Sequence, residues 1–217
     1  MKHDRIYGQV LGVKLIPNVS PDLAKQFKLS QDQRSLGIIT GDVDDIVYTA
    51  LDEATKKADV EVVYAQSMYA GADNATTKLA GEVIGVLAGQ NPDEVKSGLD
   101  AAISYIENDA YFVSANDDNS INYFAHLISR TGSFLSKQAN IREGEALAYL
   151  IAPPIEAIYA LDAALKAADV RMAEFFGPPS ETNYGGALLT GSQSACKAAC
   201  DAFADAVNYV ADNPKGY

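Results

Sequence analysis

The feature that most constrains this chain is an internal repeat. The stretch from Leu36 to Ala65, LGIITGDVDDIVYTALDEATKKADVEVVYA, has a second copy beginning near Leu147, LAYLIAPPIEAIYALDAALKAADVRMAEFF. Ala50, Leu51, Asp52, Ala54, Lys56, Ala58, Asp59 and Val60 correspond to Ala160, Leu161, Asp162, Ala164, Lys166, Ala168, Asp169 and Val170, all at an offset of 110. A constant period of about half the 217 residues means two copies of one domain. The expected domains are 1–108 and 109–217. The copies differ most at one place: Gly41-Asp42-Val43-Asp44-Asp45 is answered by Ile151-Ala152-Pro153-Pro154-Ile155.

The elements follow the same duplication. In the first half, strands are expected at 8–16, 36–40, 60–65 and 82–88. Helices are expected from Ser20-Pro21-Asp22, from Asp42 to Ala58, and from Asp93 to Ile106 behind an Asn91-Pro92 cap. In the second half the expected order is a strand at 110–114, a long helix from Ile121 to Lys137, a strand at 146–151 and a helix at 154–168. Strands at 170–176 and 185–190 and a closing helix at 192–210 complete it. Val95, Leu99, Ala102 and Ile106 correspond to Cys196, Cys200, Phe203 and Val207 at an offset of 101, so the second copy carries a shorter loop. The fold class is therefore α+β, with two tandem domains. Each has a mainly antiparallel four-stranded sheet with Ala-rich amphipathic helices packed on it.

Charge and composition narrow the partners. Seventeen Lys and Arg against twenty-nine Asp and Glu leave a net charge of −12. Phosphate backbones and anionic lipid need clustered positive charge, so neither a nucleic acid nor a membrane surface is an expected partner. A negative surface favours cationic or neutral solutes. No run of apolar residues reaches the length of a membrane span, and MKHDRIYGQV lacks the apolar segment of a signal peptide. The two cysteines, Cys196 and Cys200, fall on one helix face and read as buried reduced thiols in a cytosolic protein.

The chemistry-bearing cluster is Asp42, Asp44 and Asp45, with Glu82 at the fourth strand. An Asp at a helix start accepts orphan backbone N–H groups, and Asp42 is expected to cap in this way. Three acids in four positions exceed what a cap uses, and the remainder repel one another unless a cation or donor-rich ligand joins them. The second copy begins the same helix with Pro153-Pro154. The fold thus needs a start signal there but not carboxylates, which raises the functional reading of Asp44 and Asp45.

Several segments carry a resemblance to a known family. RSLGIITGDVDDIVYTALDEATKKADVEVVYAQSMYAGA, AGEVIGVL, NPDEVKSGLDAAISYIEN, ISRTGSFLSKQA, AYLIAPPIEAIYALDAALKAADV and PPSETNYGGALLTGSQSACKAAC together resemble the EutL family. These are the tandem-domain shell proteins of the ethanolamine-utilisation bacterial microcompartment. The resemblance implies two circularly permuted shell domains per chain, and a homotrimer forming a flat pseudo-hexagonal tile that meets other shell proteins edge to edge. It implies a gated central pore, and a small pore in each subunit where ethanolamine binds and biases the gate. The localisation implied is the microcompartment shell in the cytoplasm, and the role is structural rather than enzymatic.

On that resemblance, Asp44, Asp45, Glu82 and Phe112 lie at the small pore. The carboxylates would take the ammonium in charge-assisted hydrogen bonds, and the ring of Phe112 would flank it. Asp42 and Glu156 are further pore candidates. Glu156 also reads as a simple complement to the helix dipole, and Phe112 as core. The loops 68–81 and 177–186 would form the central gate, lined by Tyr69, Asn183 and Tyr184. No permanently bound cofactor or metal is expected; ethanolamine and a corrinoid such as cobalamin are the candidate pore ligands. Two other readings stand beside the tile. One is a cytosolic small-molecule sensor using the same residues without tiling. The other is a carboxylate- and metal-dependent hydrolase, poorly supported because no His accompanies the acids. His126, in NYFAHLISR, reads as a helix-face histidine.

Overall fold

The computed structural model describes residues 1–68, 81–178, 180 and 183–216. The chain forms two compact units, one of residues 7–110 with 132–135, the other of residues 1–6, 111–131 and 136–217.

The first unit contains β2 (Val10–Ile16), α1 (Pro21–Gln26), β3 (Ser35–Gly41), α2 (Asp44–Lys57), β4 (Val60–Ser67), β5 (Val83–Gly89) and α3 (Pro92–Asn108). Its four strands are antiparallel in the order β2-β3-β5-β4. Sequence signals set the helix ends. Ser20 caps α1 ahead of Pro21, and the Asn91 side chain accepts the Asp93 and Glu94 N–H groups at 3.0 Å ahead of α3. Helices α2 and α3 lie close on the sheet because small residues face them. A Cβ on Gly37 would stand 2.7 Å from Val95, and one on Gly85 2.6 Å from Leu51. On the sheet's other face, Val19, Leu36, Val86 and Ala88 are buried with Ile16, Phe27 and Leu29 packed against them.

The second unit holds β6 (Tyr111–Ser114), β7 (Asn122–Ile128), β8 (Ala146–Ala152), α5 (Pro154–Ala167), β9 (Val170–Phe176), β10 (Gly185–Gly191) and α6 (Gln193–Asp212). Helix α4 (Ser133–Gln138) precedes β8. The sheet order is β1-β6-β7-β8-β10-β9, where β1 is the N-terminal strand Arg5–Tyr7. Four of these strands, β7-β8-β10-β9, repeat the first unit's β2-β3-β5-β4, and β6 and β1 extend the edge. The core lies between sheet and helices: Ala148 and Leu150 of β8, Ala187 and Leu189 of β10, Ala160 of α5, and Phe203 of α6. Cys196 and Cys200 are buried there as free thiols.

One element departs from expectation. The segment 121–137 is not one long helix but strand β7 followed by the short helix α4. His126 is therefore on a strand. Its ring stacks on Phe124 at 5.0 Å and 4°. Both faces of β7 are apolar: Tyr123 is in the sheet–helix core with Ala125 and Leu127 against it, while Phe124 is fully buried on the opposite side. A strand apolar on both faces shows no period of two, and its apolar residues also fit a helical spacing.

Candidate functional site

The acids of the first repeat gather at one end of the first unit's sheet. Gly41 closes β3, Ser67 closes β4 and Val83 opens β5, and the three are in register. Glu82 is drawn in by its backbone: its N–H donates to the Gly41 carbonyl at 2.8 Å, and its carbonyl accepts the Met68 N–H at 2.7 Å. Gly81 has φ +64, and a Cβ there would collide with the Gly41 carbonyl. This close approach sets Glu82 beside the start of α2.

Within this end each acid has a distinct role. Asp42 does not cap α2. Its Oδ1 accepts the Gln9 N–H at 2.6 Å, which ties down the start of β2, and the helix opens after Val43 with no side-chain cap. The Asp44 Oδ1 accepts the Asp45 N–H at 2.9 Å, and its Oδ2 accepts the Ser67 hydroxyl at 2.7 Å. With its proton so committed, Ser67 Oγ accepts from the Tyr48 hydroxyl at 2.6 Å. A chain Tyr48–Ser67–Asp44 therefore links the side of α2 to the end of β4. Burial pushes the proton affinity of Asp44 above the ordinary carboxylate value of 3.8, against the bonds from Ser67 and the backbone. Burial does the same for Asp42, against the Gln9 bond. Asp45 is almost fully buried, and Glu82 is half-buried. Two carboxyls with raised proton affinity, partly open to solvent, favour a bound proton or a bound cation. Among the described residues, no three His, Cys, Asp or Glu side chains are arranged to share a metal ion.

The other expected residues belong to the second unit. Phe112 is buried on β6, stacked on Phe124 at 5.1 Å and meeting Tyr184 edge-on at 6.2 Å. The Tyr184 hydroxyl donates to Asn122 Oδ1 at 2.8 Å. Asn183 adopts a left-handed φ of 65, and its N–H donates to the Ser180 carbonyl. Glu156 sits half-buried in the first turn of α5, after the Pro153 cap position. Tyr69 lies outside the described residues.

Asp52, on α2, has a role that sequence reasoning passed over. Its carboxylate accepts the Gly132 N–H at 2.7 Å and the Leu135 N–H at 2.8 Å, so it caps the start of α4 from another helix. Gly132 supplies no side chain for that cap. A Cβ there would collide with Thr55 Oγ1 and stand 2.6 Å from the Asp52 carbonyl. A helix start with Gly at the cap position is the signal that pointed to an outside acceptor.

Comparison with known proteins agrees with this architecture. The family described as BMC domain matches residues 35–117. The bacterial microcompartment shell protein EutL of Clostridium perfringens (strain 13 / Type A) is 68% identical over 217 residues, covering all of both chains. EutL of Escherichia coli (strain K12) is 54% identical over 211 residues, 97% of this chain and 96% of that one. The crystal structure of ethanolamine utilization protein EutL from Leptotrichia buccalis C-1013-b superposes with a TM-score of 0.98, at 69% identity and full coverage of both chains.

Proposed function

Since the chain belongs to the EutL family of bacterial microcompartment shell proteins, we propose that it forms a homotrimeric tile whose small pores bind ethanolamine at the head of α2. Its role is structural rather than enzymatic, and its place is the microcompartment shell. Among the described residues, no helix is long and apolar enough to cross a membrane.

The observation that carries the ligand reading is the state of Asp44. Its carboxylate is tied through Ser67 to the end of β4, yet burial disfavours its charge. An ammonium group offers three donors and a full positive charge, which removes that penalty. Both Asp44 oxygens serve as acceptors, and a carboxylate oxygen can accept more than one bond. Asp45 and Glu82 complete an acceptor-rich end that suits an ammonium with a neighbouring hydroxyl. In the same reading, three copies close around a central pore, and ligand at the small pore biases its gate.

Titration calorimetry with ethanolamine tests the site. Asp44→Asn and Asp45→Asn are each expected to weaken binding at least about tenfold, the loss of one charge-assisted contact. Affinity equal to wild type in both variants would remove the cluster from the site. Sedimentation tests the tile: a monomer at micromolar concentration refutes the trimer.

A further inference from the structure

The repeat separates what the fold needs at the carboxylate end from what it does not. At the offset of 110, α2 and α5 begin at matching residues, as do β4 and β9. The core-facing stripe is buried in both helices: Val47, Ala50, Leu51 and Ala54 in one, Ala157, Ala160, Leu161 and Ala164 in the other. The hydroxyl chain Tyr48–Ser67–Asp44 is not kept. Tyr48 is answered by Ile158, Ser67 by Gly177 and Asp44 by Pro154. All three members are present together in one copy and missing together from the other. A strut needed to hold this helix to this sheet would recur, and this one does not.

The chain has a direction. Ser67 gives its proton to Asp44 Oδ2 at 2.7 Å and accepts from Tyr48 at 2.6 Å. A phenol is the better donor of the two hydroxyls, so the chain runs from Tyr48 towards Asp44 and presents a proton to a charged carboxylate. The opposite polarity requires Asp44 to carry a proton, donate to Ser67, and turn the Ser67 hydroxyl onto Tyr48. The Tyr48 ring is braced against Phe134 at 6.2 Å. Around Asp44 the titratable groups are Asp42 ahead of the helix, Asp45 and Tyr48 on α2, and Glu82 ahead of β5. The Asp45 side chain also hydrogen-bonds with that of Asp44. Acids grouped in this way relieve their repulsion by taking up protons, and burial drives Asp44 in the same direction. The bond from Ser67 opposes that drive, because a donor to the charged form favours it.

We propose that Ser67 and Tyr48 are positioning residues of the cation site: their hydroxyl chain holds Asp44 in its charged form, so that an ammonium ligand binds without first displacing a proton from it. The proposal rests on the ethanolamine reading and adds its regulation. Proton and ammonium compete for one carboxylate, and the two hydroxyls set the pH at which the proton begins to win. Neither residue touches the ligand in this account. Both act through Asp44, from β4 and from the second turn of α2.

Titration calorimetry with ethanolamine between about pH 8 and pH 5 tests it, since the amine stays charged over that range and only the protein titrates. Ser67→Ala is expected to bind about threefold more weakly than wild type at the alkaline end and a further three- to tenfold at the acid end, as one unit of proton affinity is worth up to tenfold in binding. Repeating the acid titration in buffers of different ionisation enthalpy should show more protons released per ligand bound in Ser67→Ala than in wild type. Tyr48→Phe keeps the ring and its contact with Phe134 and should move the profile the same way by less, while Ser67→Thr, which restores the hydroxyl, should return it to wild type. Wild type that fails to bind ethanolamine overturns the ligand reading itself. Wild type that binds, with a Ser67→Ala profile that superposes on it or runs parallel at every pH, overturns the positioning role and leaves the ligand site standing. A Tyr48→Phe profile identical to wild type overturns the chain even if Ser67→Ala misfolds.

Discussion

Replacing Asp52 by Ala isolates a single buried contact whose worth follows from its geometry. The carboxylate is 1% exposed and accepts two backbone N–H groups, from Gly132 at 2.7 Å and from Leu135 at 2.8 Å. A hydrogen bond to a charged group contributes about 1.5–3 kcal/mol, and its loss leaves a buried donor unpaired. Two such bonds set an upper figure of roughly 6 kcal/mol. Burial opposes this by raising the proton affinity of Asp52, so the net loss is expected at about 3–4 kcal/mol. Lys56 keeps its closer partner, Glu53 at 2.5 Å, and adds little to the change. Asp52→Asn retains one carbonyl acceptor and should cost about half as much. Asp201→Ala, which removes an exposed ion pair with Lys197 on α6, should cost no more than about 0.5 kcal/mol. Urea unfolding at one fixed protein concentration reads these differences as midpoint shifts at constant slope. In thermal melts the Ala variant should fall by about 10 °C for a chain of this length. If Asp52→Ala lies within about 1 kcal/mol of wild type, or no further from it than Asp201→Ala, the capping argument is wrong.

Two further outcomes follow from buried titratable groups. Asp42, Asp44 and Asp52 all have proton affinity raised above 3.8 by burial, so each takes up a proton on folding in the window just above that value. Their contribution to stability is greatest below that window and falls as pH rises through it. Unfolding free energies measured from neutral pH down to about 4.5 should therefore show a flatter pH dependence for Asp42→Asn with Asp44→Asn than for wild type, and identical profiles refute this. Burial pushes the Cys200 thiol up to about 12 and that of Cys196 upward as well. A thiolate-selective reagent should label neither in the native protein and both at the unfolding midpoint; fast native labelling would contradict their place in the core.

Much of this fold was legible because the chain states it twice. The Ala-rich helices recur at a constant offset with flanking strands in the same order, and the Ser-Pro and Asn-Pro helix starts stood where expected. Segment 121–137 was misread because Tyr123 and Phe124 bury in opposite directions, which erases the alternation that marks a strand. The repeat held the correction: at an offset of 112 the segment aligns with β2 and α1. The site was legible as a carboxylate cluster but not in its wiring. Nothing in GDVDD tells that the helix goes without a side-chain cap while Asp42 and Asp44 brace neighbouring strands, because Gln9 and Ser67 are distant in sequence and come to the cluster only through the fold. Asp52 was invisible as a cap for the same reason, its donors lying some eighty residues downstream.

The units are also interlaced along the chain. The first is completed only by residues 132–135, and residues 1–6 join the second. During synthesis, the six residues that leave the ribosome first must wait for β6 before they can settle, and Asp52 lacks its two backbone N–H partners until Leu135 has emerged. A nick or split near residue 109 would therefore not release two finished modules. Each fragment would lack a piece held by the other, so the duplication, once fused, cannot readily be undone by cutting.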